Sequence, residues 1–385
     1  MKHRHINATP AIAVLALTIL ILTNMPWAST AAPRLERQPL ESLTALNNTE
    51  ATERGIPLSA FSAPPAASAI TTADAQNVEL VGQIGGGTYG VAVQGNYAYI
   101  TVGPRLVILD VSDPAHPAIV GRTAVLPRVL GDVVVVGNYA YVTDGWGLRI
   151  INVSSPTAPI EAGLYNTPGW AEGVAVAGNY AYVANGDIGL RIIDVSDPAN
   201  PTEAGFYDTS GIASDVAVAG NYAYVADAGS LRIVNVSDPA NPTEAGFYAL
   251  SYAYGVVVAE NYAYVAGRLG LCIINVSAPS TPTKAGFYDT LWYAYGVAVA
   301  GNYAYVTDWN CGLRIINVSD PANLIETGFH DTPGQASGVA VAGNYAYVAD
   351  GHSGLRIINV SDPANPTRAG RYTMPGWAAG VAVVG

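Results

Sequence analysis

Hydrophobic residues in this chain fall in short runs of about four to eight, the length of β-strands rather than helices. Clusters of Gly, Asn, Ser, Asp and Pro separate the runs. One stretch, residues 173–211, shows the pattern. Val174-Ala175-Val176 is a first strand of small side chains. Gly178-Asn179 follows, a two-residue hairpin turn, since both residue types tolerate a positive φ. Tyr180-Ala181-Tyr182-Val183 is the second strand, with its two Tyr on one face because side chains alternate. The third strand is residues 190–195 and the fourth residues 203–207. Between them Ser196-Asp197-Pro198-Ala199-Asn200-Pro201 forms a corner, where Asp makes local turn bonds and Pro declines a ladder bond.

The same pattern recurs seven times. The Asn of Asn-Tyr-Ala-Tyr stands at Asn96, Asn138, Asn179, Asn221, Asn261, Asn302 and Asn344, at spacings of 42, 41, 42, 40, 41 and 42 residues. A repeat of this length made only of strands predicts an all-β fold, a β-propeller of four-stranded antiparallel blades. A linear β-solenoid fits less well, because its strands pair in parallel and lack two-residue hairpins. The repeats predict seven blades, with eight as the alternative count. A strand resembling the fourth precedes the first repeat at residues 78–84, and a strand resembling the first ends the chain at residues 380–384. The stop at Gly385, on a hairpin-turn glycine, reads as a frame that continues further.

Pairing of the third and fourth strands is written in charge. Arg149, Arg191, Arg232 and Arg314 are each followed twelve residues later by Glu161, Glu203, Glu244 and Glu326. Both positions turn apolar in the first repeat (Val107, Ile119) and become Cys272 and Lys284 in the fifth. The seventh breaks the rule with Arg356 and Arg368. Residues opposed across antiparallel strands vary together in this way. As exposed pairs each contributes at most about 1 kcal/mol, so they read as register marks.

The phrase Gly-Leu-Arg-Ile-Ile-Asp-Val-Ser-Asp-Pro-Ala-Asn-Pro, residues 189–201, and its first-repeat form Leu106-Val107-Ile108-Leu109-Asp110-Val111-Ser112-Asp113-Pro114 resemble the LVIVD repeat family, over about residues 77–385. The resemblance implies an exported or cell-surface β-propeller of bacteria or archaea. It implies no reaction and no cofactor, and a propeller fold alone names no function.

Composition narrows the reading. The chain has 385 residues, 50% hydrophobic and 12% charged, with 24 Tyr, 41 Gly and 25 Pro, a mix suited to half-buried strands and tight turns. The net charge of −12 disfavours nucleic acid and anionic lipid as partners. Residues 1–31 read as a signal peptide, with Lys2 and Arg4 before an apolar run and small residues at 28–32. That run, residues 11–22, is shorter than the roughly 20 residues a membrane span needs. Residues 32–76, rich in Pro, Ala, Ser, Thr and Glu, read as a flexible linker, and residues 77–385 as the propeller. The expected location is therefore extracytoplasmic. Such a compartment permits a Cys272–Cys311 disulfide, although the two stand at non-equivalent repeat positions.

Two loop sets follow from the blade pattern. The Gly-Asn and Ser-Asp-Pro turns share one face and barely change. The opposite loops vary and carry Trp146, Trp170, Arg268, Trp292, Tyr293, Trp309, His352 and Trp377. Loops on a rigid scaffold are where binding usually resides, and aromatic rings with a polar edge suit sugars and peptide side chains. The same aromatics also serve to plug gaps at a channel mouth. The expected function is non-enzymatic: adhesion or binding of an extracellular protein or glycan. Two alternatives stay open. One is a hydrolase or lyase using a carboxylate cluster, Asp132, Glu172 and Asp215, near the axis. The other is a structural surface-layer spacer. No metal motif is visible, since His116, His330 and His352 fall at unrelated repeat positions. Asn-Val-Ser recurs at Asn152, Asn235, Asn275, Asn317 and Asn359 and reads as a by-product of the turn rather than as glycan acceptors.

Overall fold

The computed structural model describes residues 90–373 and 382–384. The expected signal peptide, the linker, the strand at 78–84 and Trp377 lie outside the described residues. Seven antiparallel sheets form, one per repeat, each ordered first, second, third, fourth strand. In blade 3 these are Val174–Ala177, Tyr180–Ala184, Leu190–Asp194 and Thr202–Tyr207. The fold is a seven-bladed propeller. An eighth blade does not form from the surplus strand. Ala382–Val384 instead joins blade 1, parallel to Val91–Gln94, with Ala382 opposite Ala92. It also lies against the first strands of blades 2 and 7. The first strand has only one ladder partner within its blade, so its free edge can accept another strand.

Neighbouring blades share cores. Tyr182, Leu190 and Ile192 of blade 3 pack against Val216, Ala223, Val225 and Val234 of blade 4. Blade 7 meets blade 1 in the same way, through Tyr347, Leu355 and Ile357 against Ile100, Val107 and Leu109. One glycine per fourth strand makes the approach close. A Cβ on Gly205 would collide with the Pro239 carbonyl of the next blade, and one on Gly370 with the Pro114 carbonyl. The seventh contact repeats the first six, and the ring closes.

The invariant face is bonded to itself. In the hairpin turn Gly178 has φ +58°, the left-handed region that glycine enters without strain. Glu260 takes that position in blade 5 at φ +53°. Val195 N–H donates to the Asn179 carbonyl at 2.8 Å, and the equivalent bond forms in all seven blades. Asp194 accepts the Ser196 N–H at 2.9 Å. Asn152, Asn235, Asn275, Asn317 and Asn359 make the same turn bond. That bond accounts physically for the recurrent Asn-Val-Ser.

The Arg–Glu pairs differ from expectation in two respects. A bulge lies between Ile150 and Ile151, so Glu161 faces Ile151 and reaches Arg149 diagonally. The pairs are also exposed on the Glu side only, with the arginine side chains buried or nearly so. The Arg149 side chain is 4% exposed and bonds Glu161 and Asp144, each at 2.7 Å. Arg232 likewise joins Asp227 and Glu244, and Arg314 joins Asp308 and Glu326. Arg191, Arg232 and Arg314 each lie over a fourth-strand Phe, a further attraction for a guanidinium.

Candidate binding face and channel mouth

The variable face starts from the Asp that ends the second strand. Asp144 accepts the Trp146 N–H at 3.0 Å, and Asp308 accepts the Trp292 N–H at 3.3 Å. Asp350 accepts the Thr332 hydroxyl at 2.5 Å and the Gly334 N–H at 3.1 Å. Each of these Asp also meets its blade's buried Arg. The aspartate thus ties a variable loop to the blade beneath it. Its role escaped the sequence reading, yet a signal was present. Where Arg becomes Val107 the Asp position is Val102, and where Arg becomes Cys272 it is Gly267.

Loops of adjacent blades are also joined. Trp309 N–H donates to Tyr293 O at 3.2 Å, and Ala336 N–H to Trp309 O at 2.9 Å. On this frame Tyr252, Tyr254, Tyr295 and Trp309 line up. Tyr254 and Tyr295 stack at 4.7 Å between centroids, Tyr295 and Trp309 lie at 4.6 Å, and Tyr252 and Tyr254 at 6.2 Å. Arg268 sits over Tyr293 and Arg128 over Trp146. Trp146 is 55% exposed, and Trp170, Tyr252 and Trp292 are each 51% exposed. Leu269 and Leu291 are exposed beside them. Two placements differ from the loop assignment. Trp146 lies in the third strand Gly145–Asn152 and Trp170 in the fourth strand Ile160–Ala171. Both strands of blade 2 run long, and the Trp170 ring covers Gly145. His352 lies in a single 3-10 turn, Gly351–Ser353.

The sequence grouped Asp132, Glu172 and Asp215 near the axis. Asp132 and Asp215 occupy the same repeat position, where the other blades have Gly90, Gly173, Gly255, Gly296 and Gly338. Their carboxylates turn sideways into the next blade. Asp132 Oδ2 accepts the Val174 N–H at 3.1 Å. Asp215 Oδ2 accepts the Val256 N–H at 2.8 Å and its Oδ1 the Val216 N–H at 2.8 Å. Each thereby satisfies a donor on the unpaired inner edge of the neighbouring blade. Burial pushes the Asp132 carboxyl up to about 6. Burial, with the Asp132 charge second, pushes Asp215 up to about 7. Burial alone brings Glu172 to about 7. The Asp132 charge thus adds to the effect of burial at Asp215. No group of three or more His, Cys, Asp or Glu able to hold a metal occurs among the described residues.

Cys272 and Cys311 are both free thiols. Cys272 is buried in the core shared by blades 4 and 5, where burial pushes its thiol up to about 11. It stands opposite Phe287, the register position that Arg holds in other blades. No helix among the described residues is long and apolar enough to cross a membrane.

The LVIVD repeat model matches seven segments, residues 85–125, 128–167, 168–209, 210–249, 251–290, 293–332 and 333–374. The chain belongs to the LVIVD repeat family. Each matched segment supplies one blade. No curated protein matches the chain. Among solved structures it is similar to a functionally unknown protein from Desulfotomaculum acetoxidans, at 14% identity and TM-score 0.59, covering 74% of this chain and 96% of that one. It is similar also to the computationally designed Ika8 protein, at 7% identity and TM-score 0.60, covering 78% and 91%. A Bacteroides uniformis protein with a provisional assignment as a 6-phosphogluconolactonase matches at 11% identity and TM-score 0.56, covering 62% and 83%. Likeness at these identities concerns the fold alone. No enzymatic family is established for the chain.

Proposed function

We propose that this LVIVD propeller is an exported or cell-surface binding scaffold whose variable face takes an extracytoplasmic protein or glycan. One observation carries the reading. Large aromatic rings sit half in solvent on the variable face, and the backbones of two of them, Trp146 and Trp292, are held by the Asp–Arg pairs. Rings fixed on a rigid support bind with little loss of freedom. The turns of the opposite face barely change between blades and are bonded to one another. Export rests on the amino-terminal sequence and on the family resemblance.

The test is a panel of oligosaccharides and extracellular-domain peptides, probed with the native chain and with Tyr252→Ala/Trp292→Ala. At least one ligand should lose about tenfold or more in affinity, the size of one good interface anchor. The melting temperature should stay within about 2 °C, since neither side chain is in the core. A panel on which native and variant chains bind alike removes the assignment.

A second reading has one supporting observation, the three carboxyls raised to near neutrality at the channel mouth, the range useful for proton transfer. It predicts a hydrolysis or elimination activity lost in Asp132→Asn and Asp215→Asn. An activity that survives both substitutions excludes it.

A further inference from the structure

Charges follow a pattern where the outer strands of neighbouring blades meet, and one seam breaks it. In blades 2, 4 and 6 one arginine meets two acids: Arg149 with Asp144 and Glu161, Arg232 with Asp227 and Glu244, Arg314 with Asp308 and Glu326. At three seams the glutamate position also accepts a Tyr hydroxyl from the preceding blade at 3.1 Å: Glu203 from Tyr165, Glu244 from Tyr207 and Glu326 from Tyr288. Arginine and tyrosine thus converge on one carboxylate. Blade 5 replaces both members of the pair, with Cys272 for the arginine and Lys284 for the glutamate, so these two positions hold a single cation.

Blade 7 keeps the arginine and loses the carboxylate. Arg356 is buried, and its Nε bonds Asp350 at 3.1 Å. The glutamate position is Arg368, across the ladder from Ile358, and the fourth-strand Phe position is Arg371, across from Arg356 itself. Side chains two apart on a strand share a face. All three arginines therefore lie on the side of blade 7 where Ile358 packs against blade 6. Arg368 and Arg371 are exposed. The tyrosine position of blade 6 is His330, which pairs with Leu313, and an imidazole carries an N–H in either tautomer. Asp350 is already engaged by the Thr332 hydroxyl and the Gly334 N–H as well as by Arg356. Exposed Asp331 occupies the position from which Asp208 serves its own blade's Arg191. One acid against three arginines leaves two positive charges in excess, on a chain of net charge −12. Like charges opposed across a ladder destabilise it.

We infer that the seam between blades 6 and 7 binds a doubly charged oxyanion, a phosphate group free or on a monoester, seated where other blades place the glutamate carboxylate. Arg356 offers the buried end of the site, and Arg368 and Arg371 meet the ligand from the perimeter. Guanidinium groups match phosphate oxygens two at a time. His330 supplies a donor where Tyr207 supplies one between blades 3 and 4. The two charges of the ligand balance the two in excess. The fourth strand is the outermost of its sheet, which leaves room for the remainder of an ester.

Calorimetric titration with inorganic phosphate and with glycerol phosphate tests this at about pH 8, where a phosphate monoester carries both charges. Acetate is the singly charged control. The native chain should bind phosphate, and acetate about tenfold or more weakly. Binding of glycerol phosphate as well marks a site for esters, and binding of inorganic phosphate alone marks a site for the free ion. Arg368→Glu rebuilds the Arg–Glu pair of the other blades. It should lose about tenfold or more in phosphate affinity, yet without ligand it should melt no lower than the native chain. Arg368→Gln, which adds no acid, should show the same loss of affinity. Arg122→Glu, on the exposed outer strand of blade 1, should change affinity less than about threefold in about 0.15 M salt, where charges farther than roughly 8 Å are largely screened. A native chain that binds neither phosphate overturns the proposal. So does affinity unchanged in both folded Arg368 variants, an equal loss in Arg122→Glu, or acetate bound as tightly as phosphate.

Discussion

The two faces of the propeller are made by the same seven repeats, yet their side chains do opposite things. On the invariant face, the Gly-Asn and Ser-Asp-Pro turns are tied to each other and to their own backbone, copy after copy. On the variable face, polar bonds lie underneath, between Asp and loop N–H groups, and the rings above are left in solvent. The difference shows that repetition marks the residues used for blade building. Freedom from repetition marks surface that the scaffold does not need.

The severest way to break this contrast is to attack the support under the variable face. Arg149→Met leaves Asp144 buried without its cation and Glu161 without its partner. The expected loss is about 3–5 kcal/mol, the range for a broken buried ion pair, read by urea unfolding. A loss under about 1 kcal/mol would restore the reading of these pairs as mere register marks. Next in size is the close approach at the other face. Gly286→Ala places a methyl on the Pro321 carbonyl of blade 6. About 1–3 kcal/mol should be lost, the usual cost of overpacking. The same exchange at exposed Gly229, where nothing lies nearby, should cost far less.

The smallest effect sharpens the contrast at the channel mouth, through pH. The carboxyls of Asp132 and Asp215 ionise more reluctantly when folded, at about 6 and about 7 against an ordinary 3.8. Between those values the folded chain holds protons that the unfolded chain has released. Their stabilising contribution is complete below about pH 4 and is lost as pH rises toward 7. Asp132→Asn/Asp215→Asn should therefore gain stability relative to the native chain on going from pH 4 to pH 8. The gain should be on the order of 1–2 kcal/mol, discounted for the partial exposure of both groups. An equal difference at both pH values would show that the two carboxyls are ordinary.

Much of this was legible in the sequence, because repetition averages out local noise. Blade order, hairpin turns and the Arg–Glu pairing all appear in the spacing of Asn179, Arg191 and Glu203 against their copies. The candidate site was only partly legible. Sequence placed Tyr293 and Trp309 on the variable face, but the stack of Tyr254 on Tyr295 joins blades 5 and 6 through space. Asp144 looked like an ordinary strand end, since its partners Arg149 and Trp146 N–H converge only once the second and third strands are paired. Gly286 looked like one glycine among 41, since the carbonyl it makes room for belongs to the next repeat.

By itself the sequence determined much of what is set within one repeat: strand order, turn chemistry, the sign of cross-strand charges and which loops vary. These depend on residues a few positions apart, whose geometry the backbone fixes locally. Only the tertiary structure decided what lies between repeats. It buried the arginines, turned Asp132 and Asp215 into the next blade, sealed Cys272 in a core and gave residues 382–384 to blade 1. Contacts between blades depend on how seven similar sheets close a ring, and no single repeat contains that information.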